Sequence, residues 1–275
     1  MKIAIISDIH SNLTALKAVL EDIKNRGCDK IFCLGDTIAK GVHSKECVKL
    51  VRENCEVVLR GNCDRHFCDK YDLENMEAGN AKDRLVWNGN HLDEEIKEYL
   101  FNLPFCYEFY MSGSLVRLFH AGPNTDKDIV INENGYDQKY SMFLPTEKTV
   151  SQNVADMVLY GHLHHQYMDK LYNKTLINVG SVGNSFEIIR DGKRDSDIRE
   201  VINAQYVILN GEYGDKEYGK SISFEFVKVH YDIEKELSDY DGEFEKDVYF
   251  AEIKQGRYRD MFKIHKYNEK NNINK

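Results

Sequence analysis

The chain opens with MKIAIISDIHSNLTALKAVLEDI (residues 1–23), in which an apolar, β-branched run gives way to a polar turn and then to a helical pattern. The run Ile3–Ile6 is typical of a buried strand, and Asp8 and His10 follow it directly. Asn12 can cap a helix whose apolar residues recur every three or four positions. A strand, a polar loop and a helix in this order predict the first unit of a parallel α/β sheet.

The same arrangement recurs along the chain, because residues able to bind a metal follow four further apolar runs. They are Asp36 after run 31–34, Asn62 after run 57–59, His120 after run 115–119, and His162 and His164 after run 157–160. Loops at the carboxyl ends of strands in an α/β sheet open into one crevice, so we expect these side chains to meet Asp8 and His10. Carboxylate, amide and imidazole ligands in this number favour a site for two divalent ions.

The bulk properties narrow the class of protein. A chain of 275 residues can fold as one α/β domain. Its formal charge of −9 at pH 7 provides no basic surface for a large nucleic acid, although a nucleotide remains possible. The apolar run at the amino terminus is too short for a signal peptide, and no segment has the length of a membrane span. We expect a cytoplasmic protein without a membrane partner.

The seven cysteines support the same compartment. Their number is odd and no two of them form a C-x-x-C pair, so the sequence indicates neither a disulfide framework nor a zinc ribbon. They are expected to be free thiols in a reducing environment.

The remaining pattern predicts two mixed sheets flanked by helices. Polar residues 66–103 favour helix up to Pro104, and the runs on either side of Gly113 predict a hairpin that leads into His120. The predicted strands are 31–34, 56–59, 105–111, 115–119, 157–160, 175–179, 204–209 and 221–230, with a helix starting near Ser44. Two segments depart from a compact plan: charged residues 184–203, a surface insertion or substrate lid, and a charged extension at 238–275 whose last residues we expect to be disordered.

The five clusters resemble the motifs of the calcineurin-like metallophosphoesterase superfamily. Its pattern D-x-H, G-D, G-N-H-[DE], H and G-H-x-H is matched here, block by block and in order, between residues 8 and 164. The segments Ser7–Asn12 and Asn178–Gly183 are most similar to its small bacterial phosphodiesterase-like branch. The resemblance implies a four-layer αββα sandwich of two mixed β-sheets, formed by a metallophosphoesterase domain over residues 1–237.

The resemblance also assigns the ligands. It places Asp8, His10, Asp36 and His164 around one metal ion, and Asp36, Asn62, His120 and His162 around the other. Asp36 then bridges two ions, of which Mn is favoured and Fe, Zn, Ni or Mg are alternatives. The implied reaction is in-line attack of a metal-bridging hydroxide on the phosphorus of a phosphodiester or a phosphoanhydride.

One position departs from the family's commonest motif. Cys63 stands where most members have a histidine that protonates the leaving group, and Asp64 stands where the acid orients that histidine. Close to two cations a thiolate would be favoured over the thiol, so proton donation would be lost. Members of the similar branch also carry cysteine here, which suggests leaving groups that need little protonation, or another donor.

Other residues are candidates for substrate contacts. His43, His66 and His165 could replace the missing proton donor, and His43 lies in the loop after Asp36 that contacts substrate in the similar branch. Arg65 could bind a phosphate. The predicted catalytic residues are therefore Asp36, Cys63, Asp64 and His43, and the predicted substrate-binding residues are Arg65, His43 and His165. Ala121 follows His120 where glycine is usual, which is compatible with the ligand set if its φ is negative.

The favoured function is hydrolysis of a small phosphorylated substrate, which could be a nucleotide such as a dinucleoside polyphosphate. A phosphoprotein phosphatase is the alternative enzyme, although its relatives usually keep the histidine that Cys63 replaces. A non-catalytic metal-binding scaffold of the same fold is the alternative outside enzymes. A nuclease would need a basic groove or an aromatic stacking surface that the sequence lacks.

Overall fold

The computed structural model of the protein describes residues 1–66, 80–185, 203–240 and 246–255. The strands are β1 Lys2–Ile6, β2 Lys30–Cys33, β3 Val57–Val58, β4 Cys106–Met111, β5 Ser114–Phe119, β6 Met157–Tyr160, β7 Tyr167–Leu171, β8 Lys174–Asn178, β9 Ala204–Asn210 and β10 Ser223–Val229. The helices are α1 Leu13–Asn25, α2 Ser44–Asn54, α3 Asn62–His66, α4 Asn80–Asn90, α5 Glu94–Phe101, α6 Tyr136–Ser141, α7 Ile233–Ser238 and α8 Lys246–Gln255.

These strands form two mixed sheets of five strands each. The first has the order β10-β9-β1-β2-β3, with β1, β2 and β3 parallel and β9 antiparallel to β1. The second has the order β4-β5-β6-β8-β7, with β5, β6 and β8 parallel between antiparallel edge strands. Within each sheet the parallel strands run in the same direction, so their carboxyl ends lie at the same end of that sheet.

The two sheets pack face to face through an apolar core. Ile3 and Ile5 of the first sheet contact a layer that includes Leu159 and Ile177 of the second. Ala4, at the position between the two isoleucines, belongs instead to the core beneath the helices, as expected from the two-residue period of a strand. Burying each large aliphatic side chain contributes about 1.5–3 kcal/mol to folding.

Helices cover the outer faces of the sheets. On the first sheet the outer core includes Leu16 and Val19 of α1 and Val48 of α2. On the second sheet it includes Met142 and Phe143, which directly follow α6. The result is the four-layer αββα sandwich, so the predicted fold class is confirmed.

Local sequence patterns correctly predicted several elements of the structure. The Asn12 side chain accepts a hydrogen bond from Ala15 N at 3.0 Å and caps α1. The two predicted hairpins form as β4–β5 and β9–β10. Strand β7 was not predicted, because the exposed polar residues in Tyr-Met-Asp-Lys-Leu at this edge give a weak strand pattern. The charged insertion predicted at 184–203 lies almost wholly outside the described residues, as does the end of the chain.

The described part of the predicted carboxyl-terminal extension is folded against the rest of the protein. Tyr249 and Ile253 of α8 are buried in a cluster with Leu237, and Val42 and Trp87 pack against it. The extension therefore reaches the loop that follows Asp36. Within the described ranges, no helix has the length and apolar character needed to cross a membrane.

Candidate metal centre

All seven predicted metal ligands converge at the edge where the carboxyl ends of the parallel strands meet. They form two groups that are joined by Asp36. In the first group, His10 Nε2 lies 3.0 Å from His164 Nε2, and His164 Nε2 lies 3.2 Å from Asp8 Oδ1. Asp36 Oδ2 completes this group at 3.7 Å from His10 Nε2.

The second group surrounds the other carboxylate oxygen of Asp36. Asp36 Oδ1 lies 3.6 Å from His120 Nε2, which in turn lies 3.1 Å from Asn62 Oδ1. The ring of His162 is 5.2 Å from the ring of His120, measured between centroids. Asn62 and His162 are partly exposed, whereas the ligands of the first group are buried. Solvent therefore reaches the centre from the side of the second group.

Hydrogen bonds fix the orientation of three ligand imidazoles. His10 Nδ1 lies 3.2 Å from the carbonyl oxygen of Ile38, His120 Nδ1 lies 3.0 Å from that of Leu34, and His164 Nδ1 lies 2.7 Å from that of Asn184. Because a carbonyl oxygen only accepts, each Nδ1 must carry the proton. In its neutral form each ring then presents the lone pair of Nε2 to the centre, which is the usual arrangement of metal-binding histidines.

This orientation places acceptors against acceptors, which is a direct test of whether the residues fit a cation. With Nδ1 protonated, the Nε2 lone pairs of His10 and His164 face each other at 3.0 Å, and that of His120 faces the Asn62 oxygen at 3.1 Å. The buried Asp8 Oδ1 has no hydrogen-bond partner among the described residues. Positive charge between these atoms would relieve the repulsion, so the donor set fits divalent metal ions.

The electrostatics keep His162, His10 and Asp8 in the forms that bind metal, whereas at His120 burial is outweighed by the carboxylates of Asp36 and Asp8, which raise the pKa. Burial lowers the pKa of His162 to about 3 and lowers that of His10 well below its ordinary value, so both rings are neutral at pH 7. Burial opposes ionisation of Asp8, but the surrounding imidazoles, His164 first among them, outweigh it and lower its pKa. Asp8 is therefore a carboxylate.

The loops that carry the ligands have a strained backbone. Five ligands have a left-handed φ between 51° and 65°, which is uncommon outside glycine: Asp8, His10, Asp36, His162 and His164. Hydrogen bonds between loops hold this conformation, such as His10 N to the Asp36 oxygen at 2.9 Å. A β-carbon on Gly61 would collide with the Asp36 carboxylate. Strain of this kind persists where it serves a site. Ala121 has no positive φ, so it does not disturb the position of His120.

Asp64 is buried beneath the second group and braces the ligand loops. Its carboxylate accepts hydrogen bonds from Thr37 N and Gly61 N, both at 3.0 Å. Burial, with the nearby Asp36 charge, raises the pKa of Asp64 to about 7. Its predicted catalytic role stays a prediction, and its contacts show that it positions the loops of Asp36 and Asn62.

Cys63 lies at the centre itself. Its sulfur is within 4.8 Å of ligand atoms of His10 and Asp36, and its backbone N donates to Asp36 Oδ1 at 2.7 Å. Burial, together with the Asp36 carboxylate, raises the pKa of this thiol well above its ordinary value. On balance the protein residues therefore favour the thiol, and bound cations would oppose them.

The structure ties the predicted substrate-binding residues to other neighbours. Arg65 Nε lies 3.3 Å from Oδ2 of the buried Asp126. The ring of His165 stacks on Tyr167 at 6.1 Å between centroids. His43 begins helix α2, and its Nε2 is buried with no hydrogen-bond partner among the described residues. The side chain of His66, the remaining candidate donor, lies outside what the structure describes. The substrate contacts of all four stay predictions.

Two charged residues near the centre were missed at the level of sequence. Lys40, in the loop after Asp36, is 6% exposed, and Glu252 of α8 is 1% exposed. Lys40 Nζ and Glu252 Oε2 lie 3.8 Å apart. A lysine four residues after a ligand could have been noticed, but no motif marks Glu252, because it is far away along the chain.

Comparisons with known proteins agree with this geometry. Residues 1–196 match the model of the calcineurin-like phosphoesterase superfamily domain. An uncharacterized protein of Methanocaldococcus jannaschii is 34% identical over 249 residues, which cover 85% of this chain and 89% of that protein.

Two crystal structures share the fold. A hypothetical protein from Pyrococcus horikoshii OT3 is similar with a TM-score of 0.71 at 17% identity, covering 94% of this chain and 99% of that one. A metallophosphoesterase from Sphaerobacter thermophilus is similar with a TM-score of 0.61 at 23% identity, covering 86% of this chain and 91% of that one.

Proposed function

We propose that this chain, which belongs to the calcineurin-like phosphoesterase superfamily, uses two metal ions to hydrolyse a phosphodiester or a phosphoanhydride bond. As a member of this superfamily, the chain is a metal-dependent phosphoric ester hydrolase. The number of ions, their identity and the bond that is cleaved belong to the proposal.

The position of the Asp36 carboxylate supports the proposal of two ions. The two carboxylate oxygens of Asp36 face different groups, because Oδ2 lies near His10 and Oδ1 lies near His120. A carboxylate placed in this way is suited to bridge two cations about 3.5–4 Å apart. The mixed oxygen and nitrogen ligands favour Mn²⁺, with Fe, Zn, Ni and Mg as alternatives.

Bound divalent ions would lower the pKa of water towards neutrality and would offset the negative charge of a phosphoryl group. The residues of the chain supply the conditions for this chemistry. Asp8 and Asp36 would balance the charge of the ions, and the imidazoles would donate their Nε2 lone pairs in the neutral form. The strained, hydrogen-bonded loops fix these ligands before substrate arrives, so the geometry needs little rearrangement. The partly exposed side, at Asn62 and His162, admits the substrate.

The position of Cys63 supports the choice of bond. No imidazole stands there to protonate a leaving alkoxide, which would cost a monoesterase about 10²- to 10⁴-fold in rate. A phosphate or an acidic alcohol leaves without that help. We therefore favour phosphoanhydrides and diesters of small molecules, and a nucleotide such as a dinucleoside polyphosphate is a suitable candidate. The free thiols of the described cysteines support a reducing compartment such as the cytoplasm.

The test compares two chromogenic esters after metal exchange. Protein stripped of metal and reconstituted with Mn²⁺ is assayed on bis(p-nitrophenyl) phosphate and on p-nitrophenyl phosphate, with Asp36→Asn as the blank. We expect diester hydrolysis that requires both Mn²⁺ and Asp36. If neither ester is hydrolysed while two ions are bound, a narrowly specific enzyme or a non-catalytic scaffold becomes the better account. Faster hydrolysis of the monoester would contradict the proposed bond.

A further inference from the structure

Glu252 of helix α8 is a buried carboxylate that contacts two residues close in sequence or in space to the first ligand group. Its Oε2 accepts a hydrogen bond from Asn184 Nδ2 at 2.6 Å and lies 3.8 Å from Lys40 Nζ. One oxygen atom thus faces two residues from different parts of the chain. Glu252 is also outside residues 1–196, the part of the chain that matches the family model.

Asn184 connects Glu252 to a metal ligand. While its side chain donates to Glu252, its backbone oxygen accepts the proton of His164 Nδ1 at 2.7 Å. Its backbone N donates to Ser181 Oγ at 2.8 Å, and that hydroxyl donates to the Asp8 backbone oxygen at 2.7 Å. Asn184 is therefore held on both sides, and its carbonyl determines where the ring of His164 points.

Lys40 connects Glu252 to the other side of the first ligand group. It lies in the loop between Asp36 and Gly41 with a left-handed φ of 70°, and Gly41 N donates to the His10 oxygen at 2.9 Å. Lys40 therefore links Glu252 to a loop that is hydrogen-bonded to the backbone of His10.

The charge of Glu252 is not needed to anchor the helix. Ile253 and Tyr249 already bury α8 in an apolar cluster, and Lys254 pairs with Glu234 at the surface. Burying a carboxylate disfavours folding unless its partners compensate, so an apolar residue would anchor this helix at least as well. The carboxylate is better explained by what it holds in place.

We propose that Glu252 is a positioning residue of the metal centre, which orients His164 through Asn184. The inference rests on the proposed metal-dependent function of the same site. It implies that the centre is completed by a helix near the end of the chain, outside the segment that matches the family model.

The test measures Mn²⁺ affinity by calorimetric titration of metal-free protein. Glu252→Ala is expected to weaken one of the two binding steps by about tenfold or more, the cost typical of outer partners of metal ligands. Glu252→Gln keeps an acceptor for Asn184, so it should recover most of the lost affinity. Tyr249→Phe is the matched control, because it removes a buried hydrogen bond of the same helix, to Glu236 at 3.1 Å, and touches no ligand.

A double-substitution cycle separates positioning from loss of folding. Asn184→Ala should weaken Mn²⁺ binding as much as Glu252→Ala, and the pair together should weaken it no further than either alone. Circular dichroism establishes that each variant is folded. Wild-type affinity in folded Glu252→Ala, or an equal loss in Tyr249→Phe, would overturn the inference. These readings stand even if no phosphoester is hydrolysed, whereas wild-type protein that binds no Mn²⁺ would contradict the proposed function itself.

Discussion

The two sheets supply different chemistry to the metal centre. The first sheet provides every predicted oxygen ligand, namely Asp8, Asp36 and Asn62, together with the imidazole of His10. The second provides imidazoles alone, from His120, His162 and His164. Each ligand group nevertheless draws on both sheets, since His164 completes the first group and His120 the second. Neither sheet holds a complete site, so the packing of one sheet against the other creates the centre.

The hydrogen bonds reflect the same division. Loops of the first sheet bond to one another, as in Asp8 N to the Gly35 oxygen at 3.0 Å. Two ligands of the second sheet are held by bonds across to the first, namely His162 N to Asp8 Oδ2 at 2.8 Å and His120 Nδ1 to the Leu34 oxygen at 3.0 Å. The first sheet therefore supplies the carboxylates, and these hydrogen bonds align imidazoles of the second sheet with them.

The largest effect is expected at the residue that joins the two ligand groups. Asp36→Asn removes the charge that both ions would share, so we expect Mn²⁺-dependent diester hydrolysis to fall by about 10³-fold or more, beyond the 10- to 100-fold typical of outer partners. Metal content measured by plasma mass spectrometry should fall in parallel. If this variant still binds two ions per chain and keeps wild-type activity, Asp36 does not bridge the ions.

Replacing a single histidine of the second sheet should remove the metal ion from one ligand group. His164→Ala and His120→Ala are both expected to bind about one ion per chain and to lose activity by about 10²-fold, because each group needs its ligands from both sheets. Equilibrium dialysis against Mn²⁺ measures the stoichiometry. A variant that keeps both ions at wild-type affinity would show that the second sheet contributes less than its imidazoles suggest.

A smaller effect is expected where the first sheet departs from the family's usual motif. Cys63→His restores a group able to protonate a leaving alkoxide, so turnover of an alkyl monoester such as glycerol 2-phosphate should rise about tenfold relative to that of p-nitrophenyl phosphate, whose acidic leaving group needs no proton. This rise is a fraction of the 10²- to 10⁴-fold that general acids provide. Steady-state kinetics on the two monoesters give the ratio. If the ratio does not change, the missing histidine does not explain a preference for good leaving groups.

The smallest effect on activity is expected in the core between the sheets, away from the ligands. Leu209 is fully buried on β9, a strand that carries no ligand. Leu209→Ala should lower the free energy of unfolding by about 2–5 kcal/mol. Well below the melting temperature, kcat should stay within about twofold, because the rest of the core still aligns the sheets. Urea denaturation and kinetics measure the two effects. A large loss of kcat with little loss of stability would contradict this separation.

The sequence predicted the centre well because its signals are local. Each ligand directly follows a strand-forming run, and the geometry of α/β sheets then brings the strand ends together. Asn12 likewise predicted the start of α1, because its side chain caps the helix. Strand β7 escaped prediction because Asp169 and Lys170 dilute its apolar pattern at an exposed edge.

Residues that act through tertiary contacts could not be predicted in this way. Glu252 and Asn184 meet only after the chain has folded, and neither belongs to a motif. The orientation of His10, His120 and His164 depends on backbone carbonyls, which every residue possesses and which no sequence pattern identifies. The meeting of the candidate ligands was thus predictable, whereas the groups that orient them were not.

If two metal ions share Asp36 between the ligand groups of the two sheets, anomalous diffraction from Mn²⁺-soaked crystals will locate both of them. We expect two anomalous peaks, one among Asp8, His10, Asp36 and His164 and one among Asp36, Asn62, His120 and His162. A single peak, or two peaks of which only one contacts Asp36, would contradict this arrangement.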